Sequence, residues 1–156
     1  MINKAPKKHF TVSALIFSDR GEVLLVKHKK LGVWLYPGGH IDENETPDET
    51  LLREVKEETG LSIEVIDTRD QELGNKNVEV LHNPYAILCE FIPLPNDPHY
   101  HIDVIYQCRA KSREELQLNN KESENIGWFS QEKIDELVVY PNFRILLKKA
   151  FAERNK

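Results

Sequence analysis

Residues 46–60 constrain this chain more than any other stretch. Thr46-Pro47-Asp48-Glu49 offers an N-cap hydroxyl, a proline at the first helical position and a glutamate spaced for a capping box. Strong helix formers follow to Thr59, and Gly60 stands where a left-handed residue closes a helix. The spacing predicts a helix over 47–59. Strand-like runs lie on both sides of it. Residues 9–17 and 22–28 form a hairpin about the turn Ser18-Asp19-Arg20-Gly21, with Phe10, Val12, Ala14 and Ile16 on one face. Runs 61–66, 84–94, 101–111 and 126–129 also read as strands, and 75–83 and 95–99 as loops. Trp34-Leu35-Tyr36 is extended ahead of Pro37, and Gly38-Gly39 is a flexible turn. Ser130 caps a helix to about 138, and Pro141 starts a last one to about 151. Helices interleaved with mixed strands predict one layered α/β domain over 1–156, frayed at 1–7 and 153–156.

Composition narrows the function classes. A formal charge of −5 lacks the basic excess of a protein that grips long nucleic acid. A polyanionic small ligand remains compatible if cations neutralise it. The chain contains no apolar run of the ~18 residues needed to span a membrane. The lysines and histidine of 1–10 are not followed by a signal-peptide apolar core. Cys89 and Cys108 sit in apolar stretches and read as buried free thiols of a reducing cytoplasm.

The predicted helix carries the chemistry. Glu54, Glu57 and Glu58 are spaced three and four apart, so their carboxylates crowd roughly a third of its circumference. Like charges so placed destabilise a helix, and a hard divalent cation reverses the penalty. The apolar stripe is Leu51, Leu52 and Val55, with Glu58 on its flank. Arg53 is four from both Glu49 and Glu57 and is placed to orient a ligand carboxylate. Glu45 precedes the capping threonine, and the glycines allow a carbonyl to approach a metal or phosphate.

Gly39, five residues, Glu45, seven residues and Arg53-Glu54-Val55-Lys56-Glu57-Glu58-Thr59-Gly60-Leu61 are similar to the full Nudix box. All seven fixed positions and both aliphatic ones match. Trp34-Leu35-Tyr36-Pro37-Gly38-Gly39-His40 resembles the family's lead-in, and Gly127-Trp128-Phe129-Ser130 its closing strand and helix. The resemblance implies a Nudix fold, with a mixed sheet sandwiched between helices. It implies hydrolysis of a pyrophosphate linkage by a metal-activated water. By that resemblance Glu54, Glu57 and Glu58 hold Mg2+ or Mn2+, the Gly39 carbonyl completes the shell, and Arg53 and Glu45 orient the ligands.

Outside the box the expectations are looser. Glu122 and Glu124 lie in a polar loop where many relatives place a further metal ligand or base, and Glu124 is carried as a catalytic candidate. Lys27, His28, Lys29 and Lys30 form a basic patch suited to phosphates or to a solvated turn. His99 and His101 alternate ahead of Asp103, but no cysteine or third histidine stands near them in sequence. A structural or substrate-lining role therefore outweighs zinc. Trp34, Tyr36 and Trp128 read as core or rim. The implied partner is a small nucleotide, with nucleoside tri- or diphosphates ahead of nucleoside diphosphate sugars of the ADP-ribose kind. Neither long nucleic acid nor a membrane is expected, and a monomer and a homodimer stay open. A non-catalytic binding module and a prenyl diphosphate isomerase are the other classes this fold hosts. The box has lost no acid, and the isomerase's additional cysteine motif is not recognisable.

Overall fold

In the computed structural model, which describes residues 6–112 and 115–154, two long parallel strands organise everything else. β1 (Lys7–Phe17) and β7 (His99–Ala110) pair along their full length, from Lys7↔His99 to Phe17↔Arg109. Each then divides its other edge between two shorter antiparallel partners. β1 meets β4 (Gly38–His40) at Thr11 to Ser13 and β2 (Val23–His28) at Phe17. β7 takes β6 (Ala86–Ile92) along residues 99–105 and β5 (Ile63–Val65) along 108–110. β2 continues the sheet to β3 (Trp34–Leu35) and β8 (Ser123–Phe129).

β1 is buried on both faces from Thr11 to Phe17, because helices cover the sheet from opposite sides. Val12, Ala14 and Ile16 pack on Leu51 and Val55 of α1 (Pro47–Thr59). Leu15 and Phe17 pack on Phe143, Leu147 and Phe151 of α3 (Pro141–Arg154). This is the α/β/α sandwich expected. Phe10 does not join the face assigned to it and is 58% exposed, since α1 covers only the strand beyond it. Leu52 is likewise 49% exposed, as a step of about 100° around the helix carries it past the stripe of Leu51 and Val55.

α1 matches its prediction residue for residue. The Thr46 hydroxyl accepts from the Glu49 backbone N–H at 3.2 Å, and the Glu49 carboxylate accepts from the Thr46 N–H at 2.8 Å. Gly60 closes the helix at φ 76° and donates to the Lys56 carbonyl. Several boundaries differ from expectation. The expected strand at 61–66 shortens to β5. The one at 84–94 shortens to β6. The one at 101–111 begins two residues earlier because β1 pairs with it throughout. Gly38-Gly39 is strand β4 rather than a turn. The helix expected from Ser130 to 138 is a single turn, α2 (Gln131–Ile134), without a side-chain cap. Other donors take the carbonyls that a longer helix would use. The Arg144 guanidinium donates to Ile134 and Leu137 at 2.6 and 2.8 Å, and the Trp34 N–H donates to Val138 at 2.9 Å.

Cys108 is buried as expected, but Cys89 is exposed on the outer face of β6. The expected fraying does not extend to Lys7 or to residues 153–154, which lie in β1 and α3. Pro6 is exposed and outside any strand, and 1–5 and 155–156 fall outside the described residues. No helix among the described residues is long and apolar enough to cross a membrane.

Candidate active site

The two glycines of β4 bring the helix and the cleft together. Gly38 lies so close to β1 that a Cβ there would stand 2.1 Å from the Val12 carbonyl oxygen. At Gly39 a Cβ would stand 2.4 Å from the Glu54 carboxyl carbon. The requirement for glycine is therefore close approach, not the turn geometry expected. The Glu54 carboxylate occupies the space that a side chain at 39 would fill. Beside it the Gly38 N–H donates to Glu58 Oε2 at 3.0 Å. Glu58, Gly38 and Gly39 line a cleft of ≈ 1300 Å³ whose other walls include Tyr36, Leu88 and Phe143.

The three box carboxylates differ in surroundings. Glu58 is the most deeply set, and burial above all, with Glu54, Glu122 and Glu57 adding repulsion, pushes its carboxyl up to about 8. Burial also raises Glu54, although Arg53 pulls the other way. Glu57 is half-exposed. A half-buried carboxyl this reluctant to ionise, beside two more, marks a place where negative charge gathers and a cation is favoured. The donors are all hard oxygens, the set that Mg2+ or Mn2+ prefers, so the residues fit such an ion.

Arg53 holds this arrangement. Its Nη1 donates to Glu54 at 2.9 Å and to Glu57 at 3.4 Å, and its Nε and Nη2 reach Glu45 at 2.9 and 2.8 Å. Asp42 accepts at 3.0 Å, while Glu49, the other expected partner, is spent on the capping box. Glu45 also accepts from the Thr50 hydroxyl at 2.8 Å. Hydrogen bonds from Arg53 and Thr50 hold the Glu45 carboxyl below its ordinary range.

Outside the box, Glu122 and Glu124 part company. Glu124 lies within β8 rather than a loop, with its carboxylate 2.9 Å from Lys27 Nζ. Glu122 remains in the turn before β8, lines the cleft and adds to the field on Glu58. Of the basic patch, His28, Lys29 and Lys30 line the cleft, and Lys29 Nζ donates to the Asn120 carbonyl. Tyr36 stacks edge-on against Phe143 and Trp34 against Phe129, while Trp128 packs half-buried beside the α1 core.

Two features escaped the sequence. Asp103 is 3% exposed and accepts from the hydroxyls of Thr11 (2.9 Å), Ser13 (2.9 Å) and Tyr36 (2.8 Å), which tie the cleft floor together. Burial raises the Asp103 carboxyl, and the three donors oppose that shift. His9 and His40, from β1 and β4, join His99 and His101. Spacing in sequence hid both, and only the register of β1 with β7 and β4 reveals them.

A model of the NUDIX domain matches residues 7–149. The crystal structure of a NUDIX-family hydrolase from Clostridium perfringens is similar at a TM-score of 0.78 and 32% identity, covering 92% of this chain and 96% of that one. The 8-oxo-dGTP diphosphatase of Proteus vulgaris is 34% identical over 62 residues, 36% of this chain and 55% of that protein. The RNA pyrophosphohydrolase of a Marinomonas species is 40% identical over 50 residues, 32% of this chain and 31% of that protein. The chain thus spans about half or less of the length of these two curated relatives. With the sheet between its helices and the glutamates of α1 beneath Gly38-Gly39, a family match across nearly the whole chain places it in the Nudix family.

Proposed function

We propose that this single domain is a divalent-metal-dependent pyrophosphohydrolase that cleaves a phosphoanhydride bond in a nucleoside diphosphate-linked substrate. The observation that carries this is Glu58: a half-buried carboxyl lining the cleft, held by the Gly38 N–H and crowded by two further glutamates. Glu54, Glu57 and Glu58 would hold Mg2+ or Mn2+, with the Gly39 carbonyl as a further donor. When bound, the ion neutralises phosphate oxygens and assists the attack of water on phosphorus. Arg53 keeps Glu54 and Glu57 aimed and, through Glu45, anchors them to the loop ahead of α1. Lys30 and Lys29 stand where the cleft admits anionic groups, and Glu122 is the candidate to take a proton from the attacking water. Glu124 serves that role only if its link to Lys27 opens. The apolar walls leave room for a nucleobase.

Nucleoside tri- or diphosphates are the favoured substrates, in keeping with the diphosphatase name of the Proteus relative. The cleft exceeds the usual volume of a small-ligand site, about 300–1,000 Å³, which supports a longer nucleoside diphosphate sugar as the second reading. The test is turnover of a panel of both classes with Mg2+ or Mn2+, with products identified and Glu58→Gln as the control. Release of a nucleoside monophosphate together with pyrophosphate or a sugar phosphate supports the proposal and names the class. Tight nucleotide binding without turnover under either metal would make the chain a binding module.

A further inference from the structure

Four of the chain's six histidines gather at one corner of the cleft. Register brings this about. His9 of β1 stands directly opposite His101 of β7 in the parallel ladder, and His99 faces Lys7 two residues along. His40 of β4 stands opposite Thr11, which is two residues from His9 and so shares its face of the pleat. The rings meet closely. His9 Nδ1 lies 3.3 Å from His40 Nε2, His99 Nε2 lies 3.0 Å from His101 Nε2, and His9 stacks on His99 at 4.8 Å. Ring nitrogens in such contact cannot both carry protons, so the cluster is poorly suited to an imidazolium patch for phosphate. It presents lone pairs instead.

We infer that His9, His40 and His101 form a second metal site, separate from the carboxylate cluster, that takes a divalent transition ion of the zinc class. One ring nitrogen from each lies within 4.8 Å of the other two. Ligand nitrogens on a tetrahedral ion with a bond length of about 2.1 Å are about 3.4 Å apart. The His9–His40 pair already meets that spacing, and the third ring needs a small rotation. Imidazole donors select zinc, nickel, cobalt or copper over magnesium, whereas the oxygen donors of α1 favour magnesium.

His99 is the positioning residue. Its Nδ1 is 2.7 Å from the Asp97 carbonyl, so Nδ1 carries the proton and Nε2 the lone pair. His101 Nε2–H then donates to His99, which leaves His101 Nδ1 unprotonated for an ion. Relays of this kind from imidazole through a hydrogen-bonded partner to a carbonyl orient metal-binding histidines. With three imidazoles engaged, a fourth position is left for water or an anionic group. His40 and His101 line the substrate cleft, so a phosphate or carboxylate of a bound ligand is the chemistry that position would accept.

The test uses tag-free full-length protein, stripped with a chelator and titrated with Zn2+ by calorimetry in millimolar Mg2+. Co2+ is added separately for its visible absorption. The expected result is one equivalent of zinc bound despite magnesium, and a cobalt spectrum of four-coordinate intensity. The His9→Ala/His101→Ala variant should bind zinc roughly 100-fold or more weakly, and Glu58→Gln should bind it like the parent. His9→Gln, at a half-buried position near the start of β1, is the milder variant should the double substitution fail to fold; it should weaken zinc at least tenfold and abolish the cobalt band. Zinc binding lost in Glu58→Gln but kept in the histidine variants would place the ion at the carboxylates and overturn the inference. So would the absence of stoichiometric binding to the parent.

Discussion

Replacing Glu58 by glutamine separates the cost of the buried acid from its use. The amide is nearly isosteric, and its carbonyl can still accept from the Gly38 N–H now 3.0 Å from Oε2. What disappears is the charge. In the unfolded chain this carboxyl ionises near 4.3; in the folded protein burial pushes it up to about 8. The folded state therefore holds a proton that the unfolded state has lost, and stability falls as pH rises between those values. It levels off above the folded value. At about 1.4 kcal/mol per pH unit the displacement has a ceiling of a few kcal/mol. Solvent relaxation around a site open to a cleft reduces this to about 1–3 kcal/mol. At roughly 2–4 °C per kcal/mol for a domain of this size, chelator-treated Glu58→Gln should melt about 2–12 °C above the parent at pH 9. At pH 5, less than one unit above the unfolded value, the gap should shrink to about a fifth of that. Magnesium should reverse the order at high pH, since an ion at 100 times its Kd adds about 2.7 kcal/mol to the parent alone. Turnover of the variant should fall by orders of magnitude. The assay is a set of melts at both pH values, with chelator and with magnesium, beside a rate measurement. A parent–variant gap that ignores pH, or equal stabilisation of both by magnesium, would refute the reasoning.

The two glycines of β4 should respond differently. Gly38→Ala drives a methyl into the Val12 backbone and should cost about 3 kcal/mol or more, seen as a large loss in Tm or in soluble yield. Gly39→Ala displaces only the end of the Glu54 side chain, so it should cost about 1 kcal/mol yet reduce kcat at least tenfold. Arg53→Lys loses the fork that spans Glu45, Glu54 and Glu57, and should raise the magnesium requirement by about 10–100-fold in a metal titration of the rate. Glu122→Gln should depress kcat and flatten the acidic limb of its pH profile, whereas Glu124→Gln, which loses only a surface ion pair, should run near the parental rate. Equal rates for the two would remove the assignment of Glu122.

Local chemistry was legible wherever a single segment contains its own cause. Thr46, Pro47, Glu49 and Gly60 determine α1 because cap and stop are hydrogen-bonded within the segment. The spacing of Glu54, Glu57 and Glu58 follows from the helical repeat alone. The end of α2 was not legible, because Arg144 takes the Ile134 and Leu137 carbonyls and Trp34 the Val138 carbonyl from elsewhere in the chain. The exposure of Leu52 and Phe10 was likewise set by where α1 lies across the sheet.

The same division runs through the site. Sequence alone determined which acids share a helix flank and that Arg53 stands among them. Tertiary structure decided that Glu58 is the buried one, that Gly39 yields its side-chain space to Glu54, and that Glu122 rather than Glu124 reaches the cleft. It also decided that His9 and His40 stand beside His99 and His101, and that Thr11, Ser13 and Tyr36 converge on Asp103. The physical reason is strand register. Helical neighbours are set by a repeat internal to one segment, whereas neighbours across a sheet depend on which strand pairs with which and in what alignment, and for β1, β4 and β7 the sheet as a whole determines that alignment.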